Sequence, residues 1–234
     1  MNLAQIRQDF WQQGYVELLG FFDLDLMDEL QKIIVQHYAD SPDFAHSQDF
    51  LDKSVTEVIL LFPQQEGVKL FDEIEQDKHL IALSTAILGE GWKALYCMAM
   101  FSKAHSKGQA WHQDCPPEDS RQFNLNRLLY TMDVGGDLGG EVLVMPASHK
   151  VGGLSVGKPD EDFKEQIVLR PKKGTLIMIH GHTWHRVLPI KNHYRVSTNF
   201  RAMPAGTPDN ITDIAVYRNM RYQFSTGRVL EERV

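Results

Sequence analysis

The sequence predicts a mainly β protein with an N-terminal helical layer, folded as one domain. Three observations carry this. Apolar residues recur at helical spacing over the first ~90 positions. From about residue 92 they give way to short β-branched and aromatic runs, roughly ten to fifteen residues apart and separated by Gly, Pro and Asn turn signals. No Pro/Gly/Ser-rich linker divides the two halves. The 234 residues, 43% hydrophobic and 24% charged, suffice for one sizeable core and exclude wholesale disorder.

Taken in order, Leu3, Ile6, Phe10 and Trp11 fit one face of a first helix, with Gly14 as its stop. Residues 15–19 read as a short strand. Asp23 or Asp25 is placed to cap a second helix carrying Leu26, Leu30, Ile33 and Ile34. Residues 38–56 are polar and mixed and read as a loop. A third helical stretch runs from about 67 to 88 and ends near Gly89. Strands are expected over 94–101, 125–134, 142–146, 167–169, 175–180, 184–188 and 196–202, a spacing that suits a β-sandwich or barrel. The tail after Pro208 has no clear pattern before 214–224, which fits either a strand or a closing helix. The expected division within the single domain 1–234 is therefore helical support over 1–91, a β core over 92–204 and a C-terminal extension over 205–234.

Composition removes several function classes. Two cysteines, Cys97 and Cys115, cannot make a disulfide scaffold or a zinc-finger cluster. No apolar run approaches the roughly 18 residues of a membrane span, and no secretory signal is visible, so a cytoplasmic protein is expected. A net charge of −7 without a basic stripe argues against nucleic acid as a partner. The ten histidines stand out. Seven of them (His105, His112, His149, His180, His182, His185 and His193) lie between residues 105 and 193, and imidazole is a frequent transition-metal ligand.

His112-Gln113-Asp114 is the central motif. Residues two apart on a strand share a face, so an imidazole and a carboxylate at this spacing can meet one ion. Cys115-Pro116-Pro117 then stops the strand and leaves the pair at a rim. A third ligand can come from the segment after the apolar run 175–180, where both His182 and His185 are available. Two histidines and one carboxylate make the facial triad of non-haem Fe(II) oxygenases, which leaves positions open for a chelating 2-oxo acid and dioxygen. Arg195, ten residues after His185, suits the far carboxylate of such an acid, and Ser197, facing the same way, suits a helping hydrogen bond. His180 reads as a core histidine, and His105 and His193 as exposed loop residues. Trp111 and Trp184 read as packing on the other face of each ligand strand, and Cys115 as partly exposed beside Asp114. Two other readings of the same residues are a non-catalytic module that senses a metal or small acid, and zinc-dependent hydrolysis. The second leaves Arg195 without a role.

The chain resembles the phytanoyl-CoA dioxygenase-like family of Fe(II)/2-oxoglutarate-dependent oxygenases. Residues 9–22 resemble its opening helix and strand, Trp111-His112-Gln113-Asp114 its metal motif, and 139–150 its glycine, apolar strand and Ser-His segment. Residues 174–201 resemble its closing block. The resemblance implies a double-stranded β-helix (jelly roll, cupin-like) core. It implies iron held by His112, Asp114 and His185, in preference to His182, and 2-oxoglutarate held by Arg195 with Ser197. It further implies hydroxylation of a small-molecule substrate by O2 with release of succinate and CO2. Arg186-Val187 replaces the Gly-Ser that many relatives carry after the last histidine. Asp114 is present, unlike in the halogenating relatives. The stretches 38–56, 102–110 and 115–124 are expected to shape the substrate pocket.

Overall fold

The computed structural model describes residues 1–39, 58–61, 63, 67–212, 214–218, 220–225 and 228–230. From residue 40 on, the loop expected over 38–56 lies outside them. The chain opens with α1 (Leu3–Gln13), capped by Asn2, which accepts from the Gln5 N–H. Gly14 ends it in the left-handed conformation (φ 83°) that a helix stop of this kind requires. Then follow β1 (Tyr15–Leu18) and α2 (Leu24–Ala39), whose entry is capped by Asp23 through the N–H groups of Asp25 and Leu26. After β2 (Val58–Leu61), the single helical stretch expected to end at residue 88 is two helices, α3 (Lys69–Glu75) and α4 (Lys78–Leu88). The break has a physical cause. Asp77 adopts extended backbone and accepts from the N–H groups of His79 and Leu80, so it starts a new helix rather than continuing the old one.

The rest is strand. In chain order come β3 (Lys93–Ser102), β4 (His112–Gln113), β5 (Leu125–Leu129), β6 (Val142–Val144), β7 (Ile167–Leu169), β8 (Leu176–His180), β9 (His185–Val187) and β10 (Arg195–Met203). The tail that fitted either strand or helix forms strands β11 (Ile214–Tyr217), β12 (Met220–Ser225) and β13 (Arg228–Leu230). Two antiparallel sheets result, ordered β1-β8-β5-β10-β3-β2 and β13-β12-β11-β4-β9-β6-β7. Together they make the double-stranded β-helix, or jelly roll, with the N-terminal helices laid on one sheet.

Alternation along the strands builds two cores. Phe10, Met27, Leu30, Ile34, Phe71, Leu80 and Leu83 of the helices pack with Leu125, Leu129, Leu176, Met178, Val196 and Phe200 of the first sheet. The intervening residues Leu128, Ile177 and Ile179 point the other way and pack with Val142, Val144 and Leu169 of the second sheet. All nine residues of β10 are buried, yet Arg195, Ser197, Asn199 and Arg201 recur there at period two. A polar stripe therefore runs through the inside of the roll, where a purely structural strand would carry valine or leucine.

Candidate metal centre

β4 is only two residues long, and its position is fixed from both sides. Val216 and Tyr217 of β11 pair with it on one edge, and His185 of β9 pairs with His112 on the other. Gln113, between the two expected ligands, points away from them. Its Nε2 donates to the carbonyls of His182 (2.8 Å) and Gly152 (3.1 Å), and its Oε1 accepts from the Leu154 N–H (3.0 Å). Asp114 follows the strand and donates its N–H to the Gly181 carbonyl.

This arrangement brings His112, Asp114 and His185 together, with their potential ligand atoms all within 4.8 Å of one another. They are the one such group of His, Cys, Asp and Glu found among the described residues. His185 Nε2 lies 3.3 Å from Asp114 Oδ2, and His112 Nε2 lies 3.8 Å from Asp114 Oδ1. Each Nδ1 faces a carbonyl, of Ala110 for His112 and of Thr183 for His185, both at 2.9 Å. A carbonyl only accepts, so Nδ1 carries the proton and the Nε2 lone pair of both rings is left for the shared space. Burial first, and the neighbouring His185 second, push the pKa of His112 down to about 4, which keeps that lone pair free near neutrality. Burial opposes the charge on Asp114. Arg201 foremost, then His185 and His112, more than offset this and hold its carboxyl below the usual range. Two imidazoles and one carboxylate, all buried, fit a divalent ion with open positions.

His182 does not join the group. It is buried in a row with His180 and His149, with successive ring centroids 5.0 Å apart. His180 is the core residue expected, stacked on Phe123 at 4.1 Å, its Nδ1 accepting from the His182 N–H. His149 Nε2 donates to the Trp11 carbonyl. His105 and His193 are exposed, and both take positive φ. Cys115 is buried, contrary to its expected partial exposure. It packs under Gly181, and burial pushes its thiol up to about 12. Arg186 is buried but does not face the triad. Alternation turns it away from His185, and its guanidinium lies 5.9 Å from the Trp111 ring on the outer face.

Arg195 is buried at the opposite end of the β10 polar stripe from Arg201. It donates to the Gly140 carbonyl (3.0 Å), the Ser197 hydroxyl (3.1 Å) and the Tyr130 hydroxyl (3.4 Å), and it lies 5.5 Å from the centre of the Tyr130 ring. Gly140 is needed there because a Cβ would sit 2.6 Å from Arg195 Cδ. Sequence reasoning named Arg195 and Ser197 but missed Tyr130, Asn126, Asn199 and Arg201. The signal available for the last two was the period-two polarity of β10.

No protein-family model matches the chain, and no curated protein matches it. Solved structures do. The epimerase SnoN in complex with Fe3+, alpha ketoglutarate and nogalamycin RO is 18% identical, with 92% of this chain and 86% of that one covered at a TM-score of 0.71. HygX from Streptomyces hygroscopicus with nickel, 2-oxoglutarate and hygromycin B bound is 13% identical, with 86% of this chain and 88% of that one covered at a TM-score of 0.66. At these identities the likeness is one of fold.

Proposed function

We propose that this chain is an Fe(II)- and 2-oxoglutarate-dependent oxygenase acting on a small molecule, of the phytanoyl-CoA dioxygenase-like kind. The carrying observation is the meeting of His112, Asp114 and His185 in one buried space, on the same roll whose interior also holds the buried Arg195. Bound iron with 2-oxoglutarate supplies the activation of O2, coupled to conversion of the 2-oxo acid to succinate and CO2 and to removal of hydrogen from a substrate C–H. The protein does the rest. His112 and His185 offer Nε2, each locked in one tautomer by a backbone carbonyl. Asp114 supplies the charge. Arg195, already oriented by Gly140, Ser197 and Tyr130, pairs with the distal carboxylate and fixes the direction of the cosubstrate.

SnoN and HygX are each described with 2-oxoglutarate or its synonym and a small-molecule ligand, which supports a small-molecule substrate here. Hydroxylation is the proposed outcome. The likeness to an epimerase favours a second outcome at the same residues, in which the carbon takes hydrogen on its opposite face and an external two-electron reductant balances the O2 consumed, reducing its second oxygen atom to water. Oxygen from 18O2 appears in the product of the first and not of the second.

Anaerobic titration tests the reading. Wild-type protein with Fe(II) and 2-oxoglutarate should develop a weak visible charge-transfer band, and admitting oxygen should bleach it with release of succinate. His112→Ala or Asp114→Ala should abolish both, and wild-type turnover in either variant rejects the ligand assignment. Arg195→Ala should weaken 2-oxoglutarate at least about thirtyfold, from the ~2 kcal/mol lower bound for truncating a buried charge pair, and leave iron binding within a fewfold. Equal loss of both in a folded variant rejects the role of Arg195.

A further inference from the structure

Asp114 is held from the opposite sheet through both of its oxygens. Arg201 Nη2 donates to Oδ1 at 3.0 Å, and Asn126 Nδ2 donates to Oδ2 at 2.7 Å. Arg201 on β10 and Asn126 on β5 are register partners, so both come off one position of the first sheet and reach across the roll together. The direction of the amide bonds is set by a backbone group. The Arg127 N–H can only donate, and it donates to Asn199 Oδ1 at 3.2 Å. Asn199 is thereby left to donate through Nδ2 to Asn126 Oδ1, at 2.8 Å, and Asn126 in turn to donate to Asp114. The chain admits no amide flip without losing a buried hydrogen bond. All four side chains are at least nine-tenths buried.

From this geometry we infer that Arg201, with Asn126 oriented by Asn199, is a positioning residue that fixes the plane and charge of the Asp114 carboxylate before an ion arrives. The inference rests on the metal-centre reading above. A carboxylate free to turn would sample orientations in which its lone pairs miss the space shared by the two Nε2 atoms, and it would sit in a buried pocket without a counter-charge. The guanidinium removes both difficulties. It supplies the counter-charge in a planar donor, and its Nη1 is anchored on the Thr212 carbonyl at 3.1 Å, so it cannot follow the carboxylate if that turns. The donors that hold a ligand are part of the site's affinity, and losing one typically costs about 10- to 100-fold in metal binding.

Co(II) is the probe, read by titration calorimetry and by its visible ligand-field bands without cosubstrate or turnover. Arg201→Met should weaken Co(II) by about 10- to 100-fold and shift the bands. Arg201→Lys, which keeps the charge but not the planar donor, should recover part of the affinity. Asn126→Ala should shift the bands in a folded protein with a smaller loss, and it carries the test if Arg201→Met does not fold. Circular dichroism and thermal melting report the fold in each case. Folded variants that bind Co(II) within twofold of wild type, with superimposable bands, would overturn the inference and leave Arg201 as a brace for the 209–212 turn. Wild-type protein that binds neither Co(II) nor Fe(II) overturns the metal-centre reading, and this inference with it.

Discussion

The first sheet carries two buried arginine–carboxylate pairs, one on each face and one residue apart in register. On the helix side, Arg127 of β5 meets Glu75 of α3 at 2.5 Å. Its remaining nitrogens donate to Ser84 Oγ and the Phe200 carbonyl, and the Trp92 ring lies 5.2 Å from the guanidinium. On the inner side, Arg201 of β10 meets Asp114 at 3.0 Å. The chemistry of the two pairs is the same, and the surroundings differ. Glu75 meets its arginine deep under the helices, and its second oxygen has no hydrogen-bond partner among the described residues. Asp114 has donors on both oxygens and still faces two imidazole nitrogens. A buried pair contributes little net stability over an apolar substitute, whereas removing one partner is costly because the other charge is stranded. The helix-side pair therefore fixes where α3 docks, and the inner pair prepares a carboxylate for a third charge. What a buried ion pair does is decided by what else its carboxylate can reach.

If the two pairs have separate roles, mutation should separate them. Arg127→Met strands Glu75 and should cost about 3–5 kcal/mol in urea unfolding, the largest effect expected. The fraction that remains folded should bind Co(II) as wild type does. A loss of affinity comparable to that of Arg201→Met would mean that the two faces act as one unit.

Gly14 is where the two regions touch. It ends α1 in the left-handed region, and a Cβ there would lie 2.4 Å from Thr183 Oγ1 and 2.5 Å from His149 Nδ1. Thr183 Oγ1 donates to the Gly14 carbonyl, and the Thr183 carbonyl orients His185. Gly14→Ala should lose about 1–2 kcal/mol from conformation alone and more from the displaced threonine. Gly20→Ala is the control, because Gly20 also has positive φ and, its chain neighbours aside, no atom of the described residues lies within 4 Å of its Cβ position. Thermal melts of the two isolate the contact. Co(II) affinity should fall in Gly14→Ala by less than in Arg201→Met, and it should be untouched in Gly20→Ala.

Much of this was readable in advance, for local reasons. Gly14 and Asp23 mark helix ends because their effects are confined to one turn of backbone. The β runs were readable because burial imposes a period of two on a few residues at a time. His112, Asp114 and His185 were readable because their residue types and order are those of a known motif. The break at Asp77 is also local, but its capping aspartate sits inside an unbroken helical apolar pattern that masked it. Glu75 and Arg127 were not legible, since their partnership depends on how α3 lies across β5, 52 residues on. Arg201 and Asn126 failed for a related reason. Alternation turns them inward, but only the crossing of the two sheets puts Asp114 opposite. The strand at 214–217 gains its pairing from the β4 edge and in turn pairs with 220–225, which their own sequence does not announce.

The smallest expected effect concerns protons, and it separates the two regions once more. His149, His180 and His182 form a buried row between α1 and the β8–β9 crossover, and burial first pushes all three pKa values below the ordinary 6.5. An imidazole held neutral in the fold and free to protonate when unfolded stabilises fully above about pH 6.5. That stability is lost as pH falls toward the depressed value, because the unfolded chain then binds more protons. Each such histidine contributes a slope of up to about 1.4 kcal/mol per pH unit in that window. His112, held down to about 4, adds a slope of the same sign in the metal-free protein. Urea-unfolding free energies at pH 8.0, 6.5 and 5.5 should therefore fall toward acid. Saturating Co(II) introduces a strong pH dependence of its own through the triad, so the row is read in the metal-free protein as the difference between wild type and His180→Phe. The variant should show a shallower slope below pH 6.5, even though the His182 N–H loses its acceptor and absolute stability drops by about 1–3 kcal/mol. An unchanged slope would remove His180 from the acid lability and leave it as inert packing within the row.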